Sequence, residues 1–217
     1  MSMEKLSGFR RQMAGLGKRL AFRILKKTSF LLIADLCNVV IDKFSEIYGS
    51  RSAGIKKYAQ IIREESLGVT ADLVETPILF GISMRSFLSK NLKDIPFIIE
   101  FVFYTVLGEK WAYFVSKPEY LPAELSRKKL PQYVIKILHC PFCYSVTKEK
   151  EDASMLEPGV THGTWFAKLI EGIMQGMFDY TGIKYRVDGE ETQCFMNGYD
   201  YGELTYTLYP IEESGGK

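Results

Sequence analysis

The stretch Thr164-Trp-Phe-Ala-Lys-Leu-Ile-Glu-Gly172-Ile-Met-Gln-Gly176-Met-Phe-Asp-Tyr-Thr-Gly182 decides the fold. Phe166, Leu169, Ile170, Ile173, Met177 and Tyr180 recur at three- and four-residue spacing, which lays an apolar stripe along a helix over about residues 164–180. Gly172 and Gly176 lie four apart on one stripe, so a neighbouring strand or helix can bring its backbone close there. Gly182 supplies the left-handed residue that commonly closes such a helix. A helix with that face needs another layer to bury it against.

The flanking sequence supplies the layer. Downstream, residues 184–187, 192–196 and 204–208 predict three short strands, with Asp188-Gly189 and Asn197-Gly198 as hairpin turns. Upstream, residues 133–138 (Tyr-Val-Ile-Lys-Ile-Leu) are rich in β-branched residues, and residues 111–116 alternate as a strand does. Residues 117–131 are punctuated by Pro118, Pro122 and Pro131 and read as a loop. Earlier still, residues 30–47 predict a mostly buried helix ending near Gly49, and residues 51–66 a more polar one closed by Gly68. A further helix runs to about Leu107, with Pro96 tolerated in its first turn and Gly108 at its end. The expected class is α/β in the α+β sense: an antiparallel sheet packed with helices. Its expected order is a basic amphipathic helix over 1–28, a helical part over 29–110, a sheet and glycine-helix ligand-binding core over 111–210, and a disordered tail over 211–217.

A chain of 217 residues with 47% hydrophobic content suits one large domain with a proper core. The net charge of +2 is too small to bind a polyanion by charge alone, so no specific nucleic acid is expected. The charge is unevenly placed. Residues 1–27 carry eight bases against Glu4, a local +7 that leaves about −5 for the rest. In that segment Leu6, Phe9, Met13, Leu16, Leu20 and Ile24 recur at helical spacing, so it reads as a helix docked on the domain or a dimer partner, or in weak contact with an anionic membrane surface or nucleic acid. The apolar runs 30–41 and 95–107 are interrupted by Asp35 and Glu100, and fall short of the ~20 residues a bilayer needs. Four Cys without a secretory pattern point to a reducing, cytoplasmic setting, where thiols or metal ligands outnumber disulfides.

Cys140-Pro-Phe-Cys143 follows the β-rich run and carries three readings. A redox pair needs a helix starting at the first Cys to lower its thiol pKa, and residues 144–147 look extended. A metal knuckle fits two thiolates two residues apart facing one tetrahedral ion, with further ligands from Cys194, His139, His162 or Glu191. Two packed thiols is the third. Glu191 and Cys194 form a Glu-x-x-Cys that could supply two ligands to the same ion, whereas Cys37 reads as a buried thiol of an early helix. Aromatic residues make up 13% of the chain, and Phe101, Phe103, Tyr104, Trp111, Tyr113 and Trp165 are candidates either to line an apolar pocket or to fill the core.

The run 172–182, followed by Tyr185-Arg-Val and Glu191-Thr-Gln-Cys194-Phe-Met-Asn-Gly198, resembles the 4-vinyl-reductase-like (4VR) domain over roughly residues 133–209. This is a predicted hydrocarbon-binding family found alone in archaea and as the sensor of aromatic-responsive bacterial regulators. The resemblance implies a fold akin to TRAPP subunits and haem-NO-binding domains, with an apolar pocket between sheet and helices. In the sensor branch a zinc near that pocket is held by a Cys before the glycine helix, by the Glu and Cys of Glu-x-x-Cys, and by a final Cys. Glu191 and Cys194 match, but the final Cys falls on Gly202 and the helix position near Ala167. Cys140 and Cys143 could replace the missing pair, which gives Cys140, Cys143 and Cys194 as zinc ligands with Glu191 or His162 fourth.

The expected function is therefore a binding or sensing domain for a small apolar or aromatic ligand, with a structural zinc and a homodimeric state. Two alternatives stand beside it. One is a metal-dependent enzyme in which an open zinc polarises a small hydrophobic substrate, with Glu191 as a base. The other is a homodimeric interaction or tethering protein. No glycine-rich dinucleotide fingerprint supports a reductase.

Overall fold

The computed structural model describes residues 29–75, 77–79, 82–108, 111–144 and 156–211. The expected basic helix over 1–28 and the tail over 212–217 lie outside the described residues. The first helix, α1 (Phe30–Tyr48), starts where the Ser29 hydroxyl accepts the Leu32 N–H and stops at Gly49, whose φ is +83°. It turns Phe30, Ala34, Cys37 and Ile41 inward, a three- and four-residue spacing that buries a single stripe. Leu32, Leu36, Val39 and Ile47 remain exposed, so the expectation of a mostly buried helix holds for one face only.

Helix α2 (Arg51–Glu75) passes straight through Gly68. The expected stop there is not used, because packing against another helix offsets the ~1 kcal/mol an interior glycine costs. A small antiparallel pair, β1 (Pro77–Leu79) and β2 (Ile82–Ser83), follows. The apolar α3 (Ile95–Leu107) carries its proline in the first turn and ends at Gly108. Residues 111–116 form one helical turn, α4 (Trp111–Phe114), and Val115 bridges to Ile137; this corrects the expected strand. The alternation is the product of Trp111 and Val115 being buried one turn apart while Ala112 and Tyr113 face out.

The sheet has four antiparallel strands, β3 (Glu119–Leu121), β4 (Gln132–Ile137), β5 (Tyr185–Gln193) and β6 (Gly202–Pro210), in the order β3-β4-β6-β5. Tyr133, Ile135 and Ile137 of β4, Leu204, Tyr206 and Leu208 of β6, and Val187 of β5 are wholly buried, the two-residue period of a sheet with one covered face. Residues 185–193 run as a single strand through Asp188-Gly189, which corrects the expected hairpin there. Gly189 is needed for space instead: a Cβ on it would stand 2.8 Å from the Tyr206 ring and 2.9 Å from the Ala167 carbonyl. The Asn197-Gly198 turn is real, with Gly198 at φ +84°.

A single helical turn, α5 (Pro141–Tyr144), follows β4. Helix α6 (Thr164–Thr181) lies between the sheet and α2, and Gly182 caps it in the left-handed region. The glycine stripe faces α2. A Cβ on Gly172 would stand 2.1 Å from Ser66 Oγ and 2.4 Å from the Arg63 carbonyl oxygen, and one on Gly176 would stand 2.7 Å from Thr70 Cβ. The two helix backbones touch there. Beside the crossing, Glu171 is buried and pairs with the Arg63 guanidinium, with Lys168 at 2.6 Å and with the Gly189 N–H at 2.8 Å. Arg63 and Lys168 are about one-third exposed and regain water if the carboxylate is lost, but the Gly189 N–H does not. Glu171→Ala is therefore expected to cost about 2 kcal/mol in urea unfolding; a loss below ~0.5 kcal/mol would show that water replaces the carboxylate.

Candidate functional site

Three chain segments meet at one end of the sheet. Strand β4 delivers His139 and Cys140, and the chain then winds into α5. Strand β5 ends in a bulge between Glu191 and Gln193, after which Cys194 opens a short 3₁₀ turn over Phe195–Asn197. Gly163 precedes the first turn of α6. The helical turn after Cys140 corrects the expectation of an extended Tyr144. Pro141 presets its first residue, and the Phe142 side chain anchors it, fully buried and ringed by Phe30, Trp165 and Phe166 at centroid distances of 5.5, 5.0 and 5.0 Å.

The structure brings three of the cysteines together. Cys140 Sγ lies 3.2 Å from Cys143 Sγ, and Cys143 Sγ lies 3.8 Å from Cys194 Sγ. Cys37 stands elsewhere, accepting the Tyr58 hydroxyl at 3.1 Å. Hydrogen bonds to Cys140 and Cys194, with burial, push the Cys143 thiol well above its ordinary range. Cys194 moves the other way, lowered by the hydrogen bond with Cys143 and by the backbone N–H groups of Met196, His162 and Asn197. Three backbone donors around one sulfur stabilise a thiolate.

Glu191 completes the cluster. Its carboxylate sits where a Cβ on Gly163 would be 2.6 Å away, and Oε2 accepts the Gly163 N–H at 3.0 Å. Oε1 is buried and has no hydrogen-bond partner among the described residues. Burial, and then the neighbouring Cys194, push its pKa up to about 8. A carboxylate so placed wants either a proton or a cation. His162 is buried and its pKa is lowered to about 4 by burial and by Arg51, so its imidazole is neutral.

As they stand, no group of three or more His, Cys, Asp or Glu side chains among the described residues is arranged to hold a metal ion. The donors nevertheless suit zinc chemically. Tetrahedral zinc with Zn–S bonds of ~2.3 Å separates its sulfurs by ~3.8 Å; the Cys143–Cys194 spacing of 3.8 Å matches, whereas Cys140 and Cys143, 3.2 Å apart, would have to open to share the ion. The buried Glu191 Oε1 beside Cys194 would serve as a fourth ligand on losing its proton.

A cleft of about 490 Å³ opens against two of these cysteines, lined by Leu31, Tyr113, Phe114, Leu138, His139, Cys140, Pro141, Cys143 and Phe195. That size falls in the roughly 300–1,000 Å³ range of small-ligand sites. His139 stacks on Tyr113 with centroids 3.9 Å apart, and its Nδ1 donates to the Tyr113 carbonyl at 2.6 Å, which holds both rings as one wall. Of the expected lining residues, Tyr113 is on this wall, while Phe101, Tyr104, Trp111 and Trp165 are packed into the core. Leu31, Phe114 and Phe195 carry no sequence signal for the cleft. Pro141 and Leu138 flank Cys140 and its neighbour His139, and that adjacency is the only hint.

No protein-family profile matches the chain, and no curated protein matches it either. Among solved structures, trafficking protein particle complex subunit 3 from Naegleria fowleri, covalently bound to palmitic acid, is similar in fold. It superposes with a TM-score of 0.54 at 15% identity, over 84% of this chain and 97% of that one. The chain thus has the TRAPP-subunit type of α+β fold. No helix among the described residues is long and apolar enough to cross a membrane.

Proposed function

We propose that this chain is an apolar-ligand-binding domain whose cleft wall is braced by a structural zinc held by Cys140, Cys143, Cys194 and Glu191. The observation that carries the reading is that Cys140 and Cys143 belong both to the thiol cluster and to the cleft lining. A lipid chain is the favoured ligand class, since the TRAPP subunit of similar fold carries palmitic acid. Zinc there would hold the thiolates and the carboxylate in one arrangement and fix the cleft wall. Filling every position with protein groups leaves a binding role rather than a catalytic one.

Native mass spectrometry with elemental analysis, on protein purified without added metal, tests both halves. One zinc per chain is expected in the parent protein, falling below ~0.1 equivalent in Cys194→Ser, with an additional organic mass released on denaturation. Zinc retained in full by Cys194→Ser and by Cys143→Ser would rule out the metal site. Failure of the chain to retain palmitic acid after incubation and gel filtration would rule out the lipid reading.

A further inference from the structure

The four cysteines of the chain are all free thiols, and they divide by exposure. Cys37 and Cys194 are 8% and 1% exposed, and neither lines the cleft. Cys140 and Cys143 are half-buried and form part of its wall. A small molecule entering the cleft therefore meets these two sulfurs and not the others.

Within the wall the two sulfurs are already in contact. Cys140 Sγ donates to Cys143 Sγ at 3.2 Å, so closing by about 1.2 Å would bring them to the ~2.05 Å of a disulfide. The same pair would have to open by about 0.6 Å to share a tetrahedral zinc. One pair of thiols thus stands between two exclusive states, a disulfide and a metal dithiolate. The local backbone suits the closing movement. The chain winds helically from Pro141, which keeps residues three apart on the same side. The fully buried Phe142 ring holds that turn against Phe30 of α1 and Trp165 and Phe166 of α6 while the sulfurs move. Cys143 also stands 3.8 Å from Cys194, a wider gap to a sulfur outside the cleft wall.

We propose that Cys140 and Cys143 are a reversible dithiol–disulfide pair, oxidised by a small peroxide that enters the cleft. The Cys140 thiolate attacks the peroxide and takes one oxygen as the O–O bond breaks; the hydroxide released leaves as water with the thiol's proton. The Cys143 sulfur then attacks the sulfenic sulfur. The S–S bond forms as the S–O bond breaks, and a second water carries off the Cys143 proton. Two electrons pass from two thiols to one peroxide, and a dithiol reductant returns them. The disulfide itself needs no metal. That its formation expels zinc rests on the zinc reading, because only thiolate sulfurs hold the ion. Since Cys140 and Cys143 are both in the wall, the oxidation state of the pair reshapes the cleft.

The test treats the full chain, as purified, with a few equivalents of hydrogen peroxide. The protein is then unfolded, alkylated with iodoacetamide and digested with trypsin, and its metal content is measured before and after oxidation. Cleavage after Lys136 and Lys148 leaves both cysteines in one peptide, 137–148, while Cys37 falls in peptide 28–43 and Cys194 in 187–217. Peptide 137–148 is expected to lose two hydrogens and take no alkyl group, with Cys37 and Cys194 fully alkylated. Dithiothreitol should restore it. Peptide 137–148 joined to 187–217 would assign the bond to Cys194 and overturn the proposal. So would sulfinic or sulfonic acid at Cys140 or Cys143 without the disulfide, or four alkylated cysteines after treatment. The metal measurement keeps the two readings apart. A disulfide formed in protein that never held metal supports the pair and removes the zinc; zinc present at the start with no disulfide after peroxide overturns the pair and leaves the zinc standing. Zinc released one for one with the disulfide supports both.

Discussion

Phe142→Ala is expected to unfold with about 4 kcal/mol less free energy than the parent chain. Phe142 is wholly buried and makes edge or tilted contacts with Phe30, Trp165 and Phe166. Those three residues belong to α1 and α6, so the ring joins both helices to the turn that carries the cysteines. The surrounding side chains are large and rigid, which limits collapse into the vacated volume. A fall in melting temperature of roughly 10 °C follows for a chain of this size. The effect extends to chemistry. Phe142 lies between Cys140 and Cys143, whose sulfurs are 3.2 Å apart, and its ring anchors the turn that carries them. On the zinc reading, metal affinity should drop ~10–100-fold as well, the usual effect of removing a group that orients ligands. A folded Phe142→Ala protein within ~1 kcal/mol of the parent would show that the turn is held by something else.

Gly172→Ala is expected to cost about 3 kcal/mol, although alanine is the better helix former by ~1 kcal/mol. The added methyl would stand 2.4 Å from the Arg63 carbonyl oxygen and 2.1 Å from Ser66 Oγ. The hydroxyl can rotate away. The carbonyl is part of the α2 backbone and cannot, so the helices must separate along a contact that also holds Gly176 against Thr70. Moving α2 disturbs the Arg63–Glu171 pair beside it, which adds to the cost. Differential scanning calorimetry reads the result directly. A melting temperature equal to or above the parent's would mean the helices are already apart at this point.

These two residues differ in how far they could be read in advance. The paired glycines announce close approach from their spacing alone, and the structure adds only that the partner is α2. Phe142 looks in the sequence like filler between two cysteines. Its weight comes from Phe30, Trp165 and Phe166, of which Phe30 lies more than a hundred residues away. Asp188-Gly189 misleads for a related reason. A glycine wanted for a turn and a glycine wanted for room under Tyr206 look the same in a sequence, and only the packed ring separates them. The Trp111–Val115 alternation fails because a single helical turn samples too few residues to show its period. In the site, Cys140, Cys143, Cys194 and Glu191 stand out by residue type. The buried and unpartnered state of Glu191 Oε1, and the cleft on the far side of Cys140, are not.

By itself the sequence determined the glycine-striped helix, its cap at Gly182, the strands β4 and β6 and the close spacing of Cys140 and Cys143. All of these depend on residues within a turn or two of one another, where period, capping and residue type act directly. The tertiary structure alone decided that three thiols from β4, α5 and the end of β5 converge, that an apolar cleft opens beside them, and that α1 keeps a second apolar face exposed in the described fold. Each of these is a distance between segments far apart in the chain, set by which faces the helices and sheet bury against one another.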